Sequence, residues 1–145
     1  MCLMDVPDLQ KALDEAYRVL KPGGFLQFSI THPCFNTPHR KNLRGVDGKT
    51  YAIEVGDYFN TLNGKVDEWI FGDTPAELKT KLPKFRIPVF NRTLTQWFTA
   101  ILDTGFIIEQ VNEPCPGNET VDKQPSLQDS QLVAYFLHIL CRKPE

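Results

Sequence analysis

His32 follows the apolar stretch 25–30 (FLQFSI) and directly precedes Pro33. Imidazole titrates near neutral pH, so a histidine there can accept a proton from a nucleophile or hold one in position. The competing reading is a histidine that bonds a local carbonyl and fixes the turn into Pro33. His32, Cys34 and His39 are irregularly spaced and lack a fourth ligand, so no metal site is expected. The four cysteines, Cys2, Cys34, Cys115 and Cys141, form no CxxC pair and read as free thiols. Arg92 stands just before a helix-capping residue, where a guanidinium can bind a substrate carboxylate or form a surface ion pair. His138 lies inside an apolar run and reads as a core or sheet-edge histidine.

Regular elements must position these groups. Leu9, Leu13, Ala16 and Leu20 share one helical face, predicting a helix over 8–20. Asp8 suits its N-cap, Arg18 and Lys21 oppose the dipole at its end, and Pro22-Gly23-Gly24 stops it. Residues 25–30 follow as a strand. Thr93 to Gln96 has capping-box spacing and opens a helix that ends at Gly105. Residues 106–111 read as a strand and 112–130 as a polar loop. The near-continuous apolar run 132–141 suits a strand in the middle of a sheet, covered on both faces.

Residues 35–90 differ in composition, with Gly, Asn, Asp and Pro interleaved with aromatics. Asn63-Gly64 is a strong tight-turn signal and predicts a β-hairpin over 51–71. Thr74 to Glu77 has capping-box spacing and predicts a short helix to Leu82. An insertion this long at a strand's carboxyl end is where substrate caps sit in open α/β sheets.

The chain has 145 residues, enough for one domain with its own core. Lys plus Arg is 16 and Asp plus Glu is 18, a net charge of -2. That balance argues against nucleic acid or an anionic membrane as partner. The run 132–141 is about half the length a bilayer-spanning helix needs. No signal-peptide pattern opens the sequence, and a cytoplasmic location is expected.

Several strings resemble a known family. Asp5-Val6-Pro7-Asp8, Arg18-Val19-Leu20-Lys21-Pro22-Gly23-Gly24 and Phe28 to Cys34 are similar to the middle of a class I S-adenosylmethionine-dependent methyltransferase. Asn91 to Leu94, Ala100 to Leu102, Gly105-Phe106 and Glu113-Pro114 resemble its last helix and penultimate strand. The resemblance is closest to the small-molecule methyltransferase-like subgroup and is loose over 35–90. It implies an α/β, Rossmann-like sheet in which 25–30, 106–111 and 132–141 resemble strands five, six and seven. Strand seven would lie antiparallel between the other two, and Cys2 to Met4 would end strand four. The implied cofactor is S-adenosylmethionine, with Leu3, Met4 and Asp5 in the segment beside it. Asp5 and Asp8 also read as helix caps, and Leu3 and Met4 as plain packing.

The family's glycine-rich loop has no counterpart in this sequence. Gly23-Gly24 joins a helix to a strand, whereas that loop needs strand, turn, then helix. The expectation is therefore the C-terminal part of a larger methyltransferase domain, with 35–90 as a substrate-side cap. The intact enzyme would methylate a small molecule, and this chain alone would bind the cofactor poorly. His32 is the catalytic candidate. Tyr58, Phe59, Trp69, Phe71 and Phe90 are candidates to line a pocket whose aromatic faces stabilise a cationic sulfonium. The simpler alternative is a small satellite core. Of these, Tyr58, Trp69 and Phe90, with Arg92, are the substrate-binding candidates. A second, non-enzymatic reading is an α/β module that forms a homodimer or binds a protein through the unpaired edge of strand 25–30.

Overall fold

The computed structural model describes residues 2–71 and 74–145. Residues 72 and 73 belong to the expected 35–90 cap, and they and residue 1 lie outside the described part.

The scaffold is a three-stranded sheet under two helices. Helix α1 spans Leu9–Val19, and its Asp8 N-cap accepts from the Lys11 amide at 3.1 Å. Helix α3 spans Leu94–Asp103, and both bonds of the Thr93–Gln96 capping box are present. The strands of this sheet are β1 (Phe25–Thr31), β6 (Ile107–Asn112) and β7 (Phe136–Arg142). β7 lies between β1 and β6 and is antiparallel to both.

Register fixes which residues meet the helices. Leu26, Phe28 and Ile30 stand opposite Cys141, Ile139 and Leu137. These residues face one way because side chains alternate along a strand. They pack with Leu9 and Leu13 of α1 and Trp97 and Ile101 of α3. Two details differ from the sequence reading of 132–141. The strand starts at Phe136, because Pro125–Gln131 forms a 3-10 helix with Leu132 at its C-cap. Its burial alternates, so only the helix-facing side is fully closed. The expected loop 112–130 also contains α4 (Asn118–Lys123).

The sheet is bent by a register shift between Ile108 and Gln110. The shift leaves Glu109 to grip Arg142 through two hydrogen bonds. This fork fits a planar carboxylate to a planar guanidinium.

The expected strand-four end is instead a 3-10 turn, Leu3–Asp5. Its residues pack under β1, and the Thr31 hydroxyl points at Met4 Sδ, 3.9 Å away. Three residues make one tight turn more readily than they join a ladder without a neighbouring strand.

The predicted hairpin 51–71 does not form. β2 (His39–Arg44) pairs with β3 (Thr50–Gly56), and β4 (Lys65–Trp69) pairs with β5 (Phe85–Val89). The first half of the predicted hairpin therefore pairs backwards, and the second half pairs forwards. The predicted helix 74–82 shortens to α2 (Ala76–Lys79), capped by Pro75 without a side-chain bond. The capping box read at Thr74 is absent because proline occupies the cap position itself.

Candidate functional site

A cavity of about 420 Å³ opens at the carboxyl end of β1. Thr31 and Pro33 form its floor beside β1, and Met4 and Asp5 of the 3-10 turn form one wall. The β4–β5 hairpin supplies the opposite wall through Asp67, Trp69, Ile87 and Val89. Phe90, Asn91 and Arg92 close it toward α3, with Tyr58, Trp97 and Tyr135 adding ring surface. A concave, mostly apolar cavity with a few polar groups suits a small organic ligand.

The walls are held from behind. The Leu94 amide, in the first turn of α3, donates to Tyr58 Oη at 2.8 Å. One orphan amide of the helix is thereby satisfied, and the phenol is fixed against the cavity. Asp57, just before it, has φ 57°, an unusual conformation for a side-chain-bearing residue. Gly64 has φ +80°, and a methyl group there would lie 3.6 Å from the Phe90 ring. The Asn63-Gly64 turn thus seats Phe90 rather than closing a hairpin.

Arg92 lies on the cavity wall, but its guanidinium is engaged. It donates to the carbonyls of Val6 and Pro7 and, more weakly, of Phe90. It also lies 5.7 Å from the ring centroids of both Phe90 and Trp97. Burial pulls its pKa down, and Asp8 opposes that shift. Arg92 therefore ties the start of α3 to the lead-in of α1.

His32 is 3% exposed and sits behind the cavity surface rather than on it. Its Nδ1 accepts from the Cys34 amide at 3.2 Å, so Nε2 carries the proton in the neutral ring. Nε2 donates to Glu113 Oε1 at 2.7 Å. Both nitrogens are thus committed to the protein. Meanwhile the His32 carbonyl accepts from the Phe35 and Asn36 amides. This matches the turn-fixing reading, with a backbone amide as the partner in place of a carbonyl.

Among the other expected residues, Met4 and Asp5 reach the cavity and Leu3 packs on the core instead. Burial raises the Asp5 pKa. Trp69 does two things: it lines the cavity and stacks with Phe71 and Phe85, at 4.8 and 5.2 Å between centroids. Phe71 joins that satellite cluster only, and Phe59 is exposed, outside the cavity. Trp69 thus belongs to both the cavity wall and the satellite cluster, and Tyr58 and Phe90 to the wall. Sequence reasoning missed Asp67, Asn91, Trp97 and Tyr135 as wall residues and Glu113 as the partner of His32. Asp67 carried a usable signal, because it stands two residues from Trp69 on an extended segment.

The glycine pair is not a phosphate or nucleotide cradle. The Gly23 amide donates to the Lys143 carbonyl at 3.0 Å and the Gly24 amide to Lys21 at 2.9 Å. No donors are left there to hold a nucleotide. Among the described residues there is no cluster of potential metal ligands, and no helix is long and apolar enough to cross a membrane.

Comparison with known proteins bears on the fold. Residues 1–28 match the family model of a methyltransferase domain. An S-adenosylmethionine-dependent methyltransferase from Mesorhizobium loti superposes with a TM-score of 0.70 at 23% identity. That match covers 97% of this chain and 57% of the other. A putative S-adenosylmethionine-dependent methyltransferase from Listeria monocytogenes gives 0.71 at 26% identity, covering 99% and 58%. A search of curated proteins gives no significant match. The mixed α/β fold of these residues matches part of the fold of those two methyltransferase structures. This chain spans less than three fifths of either solved structure.

Proposed function

We propose that this chain carries the acceptor side of an S-adenosylmethionine-dependent methyltransferase that acts on a small molecule. The observation that carries this reading is the cavity of about 420 Å³ between β1 and the β4–β5 hairpin. It has the size of a small-ligand site and lies at the strand end where open α/β sheets bind ligands. Trp69, Phe90 and Tyr58 supply its aromatic surface, and Thr31, Asn91 and Asp67 supply polar contacts. The chain's contribution is to bind and orient the acceptor and to exclude water from it. His32 serves as a positioning residue for the floor of the cavity, since no ring nitrogen is left to take a proton.

Cofactor binding belongs to residues outside this chain. Titration calorimetry with S-adenosylmethionine tests that division. The protein made from the complete reading frame that contains these residues should bind with micromolar affinity, and the 145-residue chain should not. Micromolar binding by the chain itself would overturn the division. Failure of both to bind would overturn the methyltransferase reading.

A second reading rests on β1, which pairs only with β7 among the described residues. Its open edge, with Phe25 exposed, is a template for pairing with another chain. On this reading the chain forms a homodimer through that edge.

A further inference from the structure

We propose that the acceptor carries a protonated amine on an aromatic or apolar body, held between the Asp67 carboxylate and the surrounding rings. This rests on the acceptor-site reading above and names the substrate class for it.

The β4–β5 hairpin sorts its charges by face. Asp67 and Trp69 are two residues apart on β4, so they point the same way, into the cavity. Glu68 points away and pairs with Arg86 at 3.1 Å. The outward acid therefore has its cation. The inward acid has no cation within ion-pair distance among the described residues. Asp67 Oδ1 accepts from the Glu68 amide at 3.0 Å, which leaves its second oxygen for a ligand.

The remaining wall points the same way. Asp5 faces the cavity from the other side, also without an ion-pair partner among the described residues. The one cationic side chain among the described wall residues is Arg92, and its Nη2 group is turned to the backbone carbonyls of Val6 and Pro7. The charge left over for a ligand is negative. Trp69, Phe90 and Tyr58 present π surface beside it, which attracts a cation and packs an apolar body. An anionic acceptor would meet two carboxylates, Asp5 and Asp67, on the cavity wall.

Three probes of similar size test this on the 145-residue chain: phenethylamine, 3-phenylpropan-1-ol and 3-phenylpropanoate. Binding is followed by two-dimensional NMR at neutral pH. The amine should bind about tenfold more tightly than the alcohol, and the acid more weakly still. Asp67→Asn should abolish the amine's advantage while leaving alcohol binding unchanged. Asp67 is exposed, so this variant should stay folded, and circular dichroism checks that it does. Equal affinity for the three probes would overturn the proposal. A preference that survives Asp67→Asn and disappears in Asp5→Asn would also overturn it, because the cation would then sit at the 3-10 turn. Methyl transfer to neutral acceptors alone would sink this inference and leave the function standing. A cation preference without any methyl transfer would do the reverse.

Discussion

His32 has a role set by hydrogen-bond bookkeeping alone. The Cys34 amide takes Nδ1, so the proton sits on Nε2 and points at Glu113. Its ring also packs 4.7 Å from Phe35, at the turn that leads out of β1. His32→Ala would leave a cavity, an unpaired amide and a lone carboxylate. The expected cost is about 2–3 kcal/mol of unfolding free energy, read by urea denaturation. An unchanged midpoint would contradict the positioning role. Cys141 offers a pH test at the same scale. It is fully buried, and burial, with a smaller contribution from Glu109, pushes its thiol up to about 11. Folding therefore favours the neutral thiol. That contribution is complete below the ordinary thiol range and is lost as pH rises toward about 11. The urea midpoint of the wild type should fall through this window more steeply than that of Cys141→Ala. Parallel profiles would contradict the assignment.

Helices were legible in the sequence and hairpins were not, for a physical reason. Helix α1 announces itself through one apolar face and a cap, and α3 through a complete capping box. Those signals are local, and the bonds they predict are present. Strand pairing is non-local, so Asn63-Gly64 could mark a turn without saying which strands it joins. The turn that does close a hairpin contains Gly48, at φ +77°, between β2 and β3. Gly64 keeps its left-handed conformation at the turn into β4, where its amide donates to the Val89 carbonyl at 3.0 Å. Gly64→Ala should therefore lower stability by roughly 1 kcal/mol, because an L side chain resists that backbone region. Retained stability in thermal melts would contradict this expectation. The apolar run 132–141 gave the central strand its place but not its start. Its leading residues belong to the 3-10 segment before β7.

At the scale of the molecule, the end of β1, the 3-10 turn, the β4–β5 hairpin and the lead-in to α3 flank the cavity of about 420 Å³. Tyr58, Trp69, Phe90 and Arg92 were expected at the substrate and do line it. Their aromatic and basic types were conspicuous against the polar insertion. Asn91 was hidden, because an amide in a loop-like stretch ordinarily faces solvent. Arg92 reached the wall but spends its donors on backbone, which a sequence cannot reveal. The open edge of β1 makes a separate prediction. If it pairs copies of this chain, sedimentation should show a dimer that dissociates on Phe25→Lys. A stable monomer would contradict that second reading and leave the cavity argument untouched.

The central claim is that this cavity receives the methyl acceptor. Its most direct test is tritium transfer from labelled S-adenosylmethionine to a panel of small amines, using protein made from the complete reading frame. Wild type should transfer label, and Trp69→Ala should lose at least about tenfold in kcat/KM, mainly through KM. Full transfer by Trp69→Ala, with KM unchanged, would contradict the account.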